Sequence, residues 1–434
     1  MREALEGSQA IARAVALCRP QVVAAYPITP QTHIVEGLAR LIADGLLAAE
    51  LVSVESEFSA ASVVLGAAAA GSRSYTASAS QGILLMSEVL YNISGLRIPV
   101  VLTCANRAVS SPVSIWNDHQ DSMAVRDSGW IQLHCADNQE AVDTTIQAFR
   151  ISERTELPVM VCVDGFTLTH TLEPIDLPDA AQVDAFLPPF RFSRTLSSSA
   201  PLSQGTLVSP EFFTEMRFLQ HEAFARAEKE ILSADRDWAG FVGRDCGGLL
   251  RVEGDREASV AILAMGSVYG TLKDAHRSGL LGRPVRLLSL RAFRPFPAGA
   301  IREATQGLSD LIVLDRSLSP GSGGIVAHEI RSALYGMAKG PRVVNFAVGL
   351  GGRNVPGEIF REMLESLEKD PPSFSIFDLD PRKLPDPGLD AATEMPSSGP
   401  VLSPRGRIPS PRSAAGYCEA STSRGREKES RKRS

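Results

Sequence analysis

The sequence predicts an α/β protein: a doubly wound parallel sheet, a smaller α/β domain and a tail of different character. Three observations predict it. Over residues 1–165, short apolar runs alternate with amphipathic stretches, the pattern of strands separated by covering helices. The alternation resumes at Ala258-Ser-Val-Ala-Ile-Leu-Ala264 and runs to about residue 370. From about Lys383 the chain is rich in Pro, Ser and Arg and nearly free of aromatics, a composition expected to remain disordered.

Residues 8–18 read as a helix capped by Ser8, with Ile11, Ala14, Val15 and Cys18 on one face. The run from Gln21 ends as a strand at Tyr26. Tyr26-Pro-Ile-Thr-Pro30 then punctuates the entry to a helix that points Ile34, Leu38 and Ile42 inward. Leu51–Val54 is a short strand, and Phe58–Gly71 is an Ala-rich helix suited to close packing. Ser74–Ser80, Ile98–Thr103, Ile131–Cys135 and Pro158–Val163 read as further strands, with helices over Gln81–Gly95 and Asn138–Glu153. A parallel sheet buried on both faces accounts for their continuous apolar character.

Residues 166–257 read as a linker and helical connection, extended over Ser193–Gly205 and helical over Glu211–Leu232. In the second domain, 258–370, strands at 258–264, 284–289, 310–315 and 342–347 alternate with helices at 268–278, 297–307 and 323–338. The tail, 383–434, ends in the basic run Arg424–Ser434, whose simplest reading is solvated charge.

Composition narrows the function classes. The chain has 434 residues, 44% hydrophobic and 22% charged, as an ordinary globular protein does. A net charge of -6 gives no general case for nucleic-acid binding. No run approaches the ~18 apolar residues of a membrane span, and the N-terminus lacks a secretory apolar segment, so a cytoplasmic location is expected. The six cysteines are scattered without a C-x-x-C, which argues against a disulfide framework, a zinc knuckle or a cluster ligated by this chain. There is no G-x-S-x-G elbow and no Walker loop. Pro320-Gly-Ser-Gly-Gly324 opens a helix and offers either an anion site or simply a tight turn.

Three polar residues follow strands of the first domain: Thr29, Glu57 and Arg107. In a parallel sheet such residues converge on the crevice at the carboxyl ends of the strands. Glu57, among alanines at a helix start, would be partly desolvated and suited to sharing a proton; the plainer reading is an acid beside the helix dipole. Arg107 can grip a carboxylate bidentately, or is a loop charge. Thr29 is held by its flanking prolines, or caps the helix.

Taken as an ordered set, Tyr26-Pro-Ile-Thr-Pro30, Glu55-Ser-Glu57, Ala79-Ser-Gln-Gly82, Ala105-Asn-Arg107, Ser114-Ile-Trp-Asn-Asp-His-Gln-Asp121, Asp164-Gly-Phe-Thr-Leu-Thr-His-Thr171, Arg294-Pro-Phe-Pro297 and Gly349-Leu-Gly-Gly-Arg-Asn354 resemble the α subunit of pyruvate:ferredoxin oxidoreductases. The resemblance covers about residues 5–370. It implies a pyrimidine-type thiamine diphosphate-binding domain at 1–165 and a transketolase C-terminal-like domain at 258–370. It implies that Glu57 hydrogen-bonds the cofactor's aminopyrimidine, and that Thr29 and Arg107 bind the 2-oxoacid, with Thr29 also touching the cofactor. The activity implied is oxidative decarboxylation of pyruvate with coenzyme A, giving acetyl-CoA and CO2, with electrons passed to ferredoxin. The sequence lacks a G-D-G…N motif for diphosphate and magnesium. The resemblance therefore implies a β subunit holding diphosphate and Mg2+, with γ and ferredoxin-like δ subunits or their equivalents, the latter carrying 4Fe–4S clusters. No membrane or nucleic-acid partner is expected. The Ala-rich helix and the helix after Gln81 are candidate interface elements. Two alternatives stay open: a branched-chain (2-oxoisovalerate) oxidoreductase, and a non-catalytic scaffold subunit.

Overall fold

The computed structural model describes residues 2–384; the tail proposed from 383 lies, from residue 385 on, outside the described residues. The N-terminal half runs β1 (Arg2–Glu6), α1 (Gly7–Leu17), β2 (Val22–Ala25), α2 (Thr32–Ala43), β3 (Glu50–Ser53), α3 (Glu57–Ala69), β4 (Ser74–Ser78), α4 (Ser80–Leu85), α5 (Ser87–Gly95), β5 (Val101–Asn106), α6 (Gln120–Ala124), β6 (Ile131–His134), α7 (Asn138–Thr155) and β7 (Val159–Asp164). A connection follows with β8 (Leu172–Asp176), α8 (Ala180–Phe186), α9 (Pro210–Val242) and β9 (Leu250–Gly254). Then come β10 (Val260–Ala264), α10 (Ser267–Arg277), β11 (Arg286–Leu290), β12 (Ala292–Arg294), α11 (Ala298–Ala304), β13 (Asp310–Asp315), α12 (Ile325–Leu334), β14 (Arg342–Ala347), α13 (Glu358–Ser366) and β15 (Phe374–Ile376).

The first sheet has the order β12-β6-β7-β5-β4-β2-β3, and all its pairings are parallel except that of β12 with β6. Its central strands are buried along their whole length, in keeping with their apolar runs. The second sheet is β15-β14-β13-β10-β11-β9, parallel except for the edge strand β9. Residues up to Leu379 form one compact unit holding both sheets. Helices α3 and α5 cover one face of the first sheet, and α1 and α7 cover the other.

Four local expectations are corrected. Ser8 does not cap α1: it lies inside the helix, and its hydroxyl donates to the Thr169 carbonyl at 2.8 Å. Neither Thr29 nor any other side chain caps α2. The helix expected over Gln81–Gly95 breaks at Met86 into α4 and α5. The helix expected to end at Leu232 continues to Val242 and stops where Gly243 adopts φ 74°. That extension has a physical cause. Ala223, Ala227, Ile231, Ala234 and Trp238 form a buried stripe on α9 that joins the core of the first half. Such a Trp and Ile contribute on the order of 2 kcal/mol each by burial. The Trp238 indole also donates to Asp143 at 3.0 Å.

Candidate functional site at the strand ends

The carboxyl ends of β2, β3, β4 and β5 lie side by side, because these strands are parallel neighbours. Thr29 follows β2, Glu57 follows β3, Ser78 ends β4, and Asn106 and Arg107 end β5. The structure brings Arg107 onto the Thr29 turn: its Nη1 donates to the Thr29 carbonyl at 3.0 Å, and its Nε donates to the Ser114 carbonyl at 2.9 Å. Arg107 is buried while Thr29 is exposed, so the contact lies where the strand ends reach the surface. Burial lowers the Arg107 pKa, and nearby Asp121 works against that shift.

Glu57 is the first residue of α3, whose start is capped by the Ser56 hydroxyl accepting from the Ser59 amide at 3.3 Å. Its side chain is buried and lies against Gly82 of α4. A Cβ at position 82 would come 2.6 Å from Glu57 Oε1 and would also meet the Ser78 hydroxyl, so only glycine fits there. Ser78 Oγ is itself buried with no hydrogen-bond partner, and so is Asn106 Oδ1 at the end of β5. These two polar atoms at adjacent strand ends are free to meet a ligand.

Two further residues hold the crevice together, and neither was singled out from the sequence. Gln31 is fully buried; its amide donates to the Ala77 carbonyl at 2.7 Å, stitching the Thr29 turn to β4. Asp121 Oδ2 accepts from the Ser80 amide at 2.8 Å and the Arg107 amide at 2.9 Å. Its Oδ1 accepts from Asn106 Nδ2 at 2.7 Å and the Ser122 amide at 2.8 Å. Burial raises the Asp121 pKa, and the hydrogen bonds from Ser80, Asn106 and Arg107 oppose the rise.

The ends of the second sheet meet this region through Asp164, the last residue of β7. It is bonded to His119 Nε2 at 2.7 Å, to Arg316 Nη1 at 2.8 Å and to the Ser267 amide at 2.9 Å. Burial opposes its charge, but His119 and Arg316 outweigh that and hold its carboxyl well below the usual range. Arg316 Nη2 also donates to Asn117 Oδ1 at 3.0 Å, tying the loop after Arg107 to the end of β13. The Gly-rich turn at 320–324 is not an open anion site. Asp315 already fills the start of α12, accepting from the Val326 amide at 2.8 Å and the Ala327 amide at 3.2 Å. A cavity of 860 Å³ lined by Arg13, Leu41, Pro178 and Arg244 shares no residue with the crevice.

Comparison with known proteins gives the family. The family described as pyruvate flavodoxin/ferredoxin oxidoreductase, thiamine diphosphate-binding, matches residues 13–236, and pyruvate:ferredoxin oxidoreductase core domain II matches 258–358. Pyruvate synthase subunit PorA of Methanosarcina barkeri is 43% identical over 370 residues, covering 84% of this chain and 92% of its own length. The chain belongs to the pyruvate:ferredoxin oxidoreductase family. Within this family, PorA of Methanocaldococcus jannaschii is 44% identical over 373 residues (84% and 94% of the two chains). The ketoisovalerate oxidoreductase subunit VorA of Pyrococcus abyssi is 37% identical over 373 residues (85% and 94%). The fold matches a 2-oxoglutarate:ferredoxin oxidoreductase from Magnetococcus marinus with a TM-score of 0.65 at 20% identity, over 84% of this chain and 65% of that one. Among the described residues, no helix is long and apolar enough to cross a membrane.

Proposed function

We propose that this chain is the α subunit of a pyruvate:ferredoxin oxidoreductase, forming acetyl-CoA and CO2 from pyruvate and coenzyme A and passing electrons to ferredoxin. What supports the reading is that Arg107, Thr29 and Glu57 follow parallel strands at one edge of the same sheet, with Arg107 bonded to the Thr29 turn, in a chain of this family. Thiamine diphosphate, when bound, supplies the electron sink for decarboxylating a 2-oxoacid. The residues present suit its aminopyrimidine end: a buried carboxylate, a glycine with no room for a side chain, and the unpartnered Ser78 hydroxyl. Glu57 would share a proton with the ring nitrogen, a task for a positioned acid. Arg107 spends its Nε on the Ser114 carbonyl and an Nη1 hydrogen on the Thr29 carbonyl, so it would meet the substrate carboxylate chiefly through Nη2. Thr29 offers its exposed hydroxyl to the substrate carbonyl region.

The diphosphate–magnesium site and the 4Fe–4S clusters would come from partner subunits, since this sequence carries neither a G-D-G…N motif nor cluster spacing among its cysteines. The outer faces of α3 and α5 suit such a partner: Phe58 and Tyr91 are exposed there, and Gly66 opens onto free space. A scaffold-only role has no use for an arginine buried against the Thr29 turn. The branched-chain reading rests on the VorA likeness, which is the weaker in identity. A substrate panel tests the choice. The purified complex should reduce viologen with pyruvate and coenzyme A faster, by kcat/KM, than with 2-oxoisovalerate; the reverse order would replace the substrate.

A further inference from the structure

We propose that Glu6, His33 and His170 form a binding site for one divalent transition-metal ion, Zn2+ by their donor set. The three come from separate segments: the end of β1, the first turn of α2 and the turn after β7. One donor atom from each lies within 4.8 Å of the other two. His33 Nδ1 already sits 2.7 Å from Glu6 Oε1, and the two imidazole rings are 4.6 Å apart at 32°. Around a tetrahedral zinc, with bonds of about 2.0–2.1 Å, donors stand about 3.4 Å apart. Small side-chain rotations therefore suffice to close the site.

The surroundings favour a ligand over a simple Glu–His pair. A pair would need no third donor, yet His170 faces the same space. The Thr169 hydroxyl accepts from the Phe166 amide at 2.8 Å and lies 2.8 Å from His170 Nδ1. When it also accepts the Nδ1 proton, Nε2 keeps its lone pair, and such support behind the ligand is common at metal-bound histidines. The Glu6 and His33 side chains are 28% and 45% exposed, so water can complete the coordination. Two imidazoles and one carboxylate suit zinc rather than magnesium or calcium. The ion would clamp the start of α2, four residues after Thr29, to the exit of β7, and so brace the turn that carries Thr29.

The test is titration of the chelator-treated 434-residue chain with ZnCl2 in a non-coordinating buffer, read by calorimetry. One ion per chain is expected, and the double variant His33→Ala/His170→Ala should bind at least about 100-fold more weakly. X-ray absorption at the zinc edge of the unaltered chain gives a readout independent of any variant's folding. It should show two imidazole nitrogens and oxygen at about 2.0–2.1 Å. Absence of stoichiometric binding, superimposable isotherms for the two proteins, or a sulfur shell at the zinc would each overturn the site.

Discussion

Replacing Asp121 with Asn tests what holds the ends of β4 and β5 in register with the Thr29 turn. Oδ2 accepts from the Ser80 and Arg107 amides and from the Cys104 thiol, and Oδ1 accepts from Asn106 and Ser122. Whichever way an asparagine amide turns, one NH2 faces at least two donors. Two bonds to a charged acceptor are lost, each contributing about 1.5–3 kcal/mol. Some of that loss is offset, because burial already disfavours the charge and raises the Asp121 pKa. The expected net cost is about 2–4 kcal/mol, within the ~5–15 kcal/mol stability of a typical domain. The protein should therefore still fold. Urea unfolding of the chain measures the stability change, and pyruvate KM in the assembled complex should rise because the Arg107 backbone is no longer held. A variant within about 0.5 kcal/mol of the parent, with unchanged KM, would refute the argument that this carboxylate organises the crevice.

Three further outcomes follow from the structure. Arg107→Ala should raise the pyruvate KM roughly 10- to 100-fold, the loss of one charged hydrogen bond, with a smaller effect on kcat; an unmoved KM would leave Arg107 as a loop tether only. Burial, and then Asp137, raise the Glu140 pKa from 4.5 to about 7. The folded state thus holds this proton more tightly than the unfolded chain, so the contribution is complete below pH 4.5 and fades as pH rises through about 7, by about 3 kcal/mol in total. Glu140→Gln keeps an acceptor for the Ala136 amide and should gain stability relative to the parent between pH 5 and 8; a pH-independent difference would contradict this. Gly66→Arg adds a side chain where a Cβ would meet nothing within 4 Å, so the chain's own melting temperature should hold or rise. Co-purification with the partner subunits should weaken if α3 faces them, and unchanged yield would move the interface elsewhere.

The central strands were legible because each carries a continuous apolar run, as a sheet covered on both faces requires. The convergence of Thr29 and Arg107 was legible for the same reason, since parallel strands put their carboxyl ends on one edge. That Arg107 reaches the Thr29 carbonyl rather than its hydroxyl was not, because a local pattern says nothing of side-chain reach across strands. The small strands β1, β8, β9 and β12 carry no local signal in the sequence. They are short, and their pairings join residues far apart in the chain, such as Arg2 with Asp176 and Ala292 with Leu133. The last of these carries the second half's chain into the first sheet, which alternation alone cannot reveal. Asp121 stood in the run Ser114–Asp121 but gave no local sign of its bonds, because its donors come from two other segments as well as its own.

The most direct test of the account is the Glu57→Gln variant in the assembled complex. If Glu57 shares a proton with the cofactor ring, pyruvate-dependent viologen reduction should fall about 10²- to 10⁴-fold while the subunits still co-purify. Turnover equal to the parent's in an intact complex would contradict it.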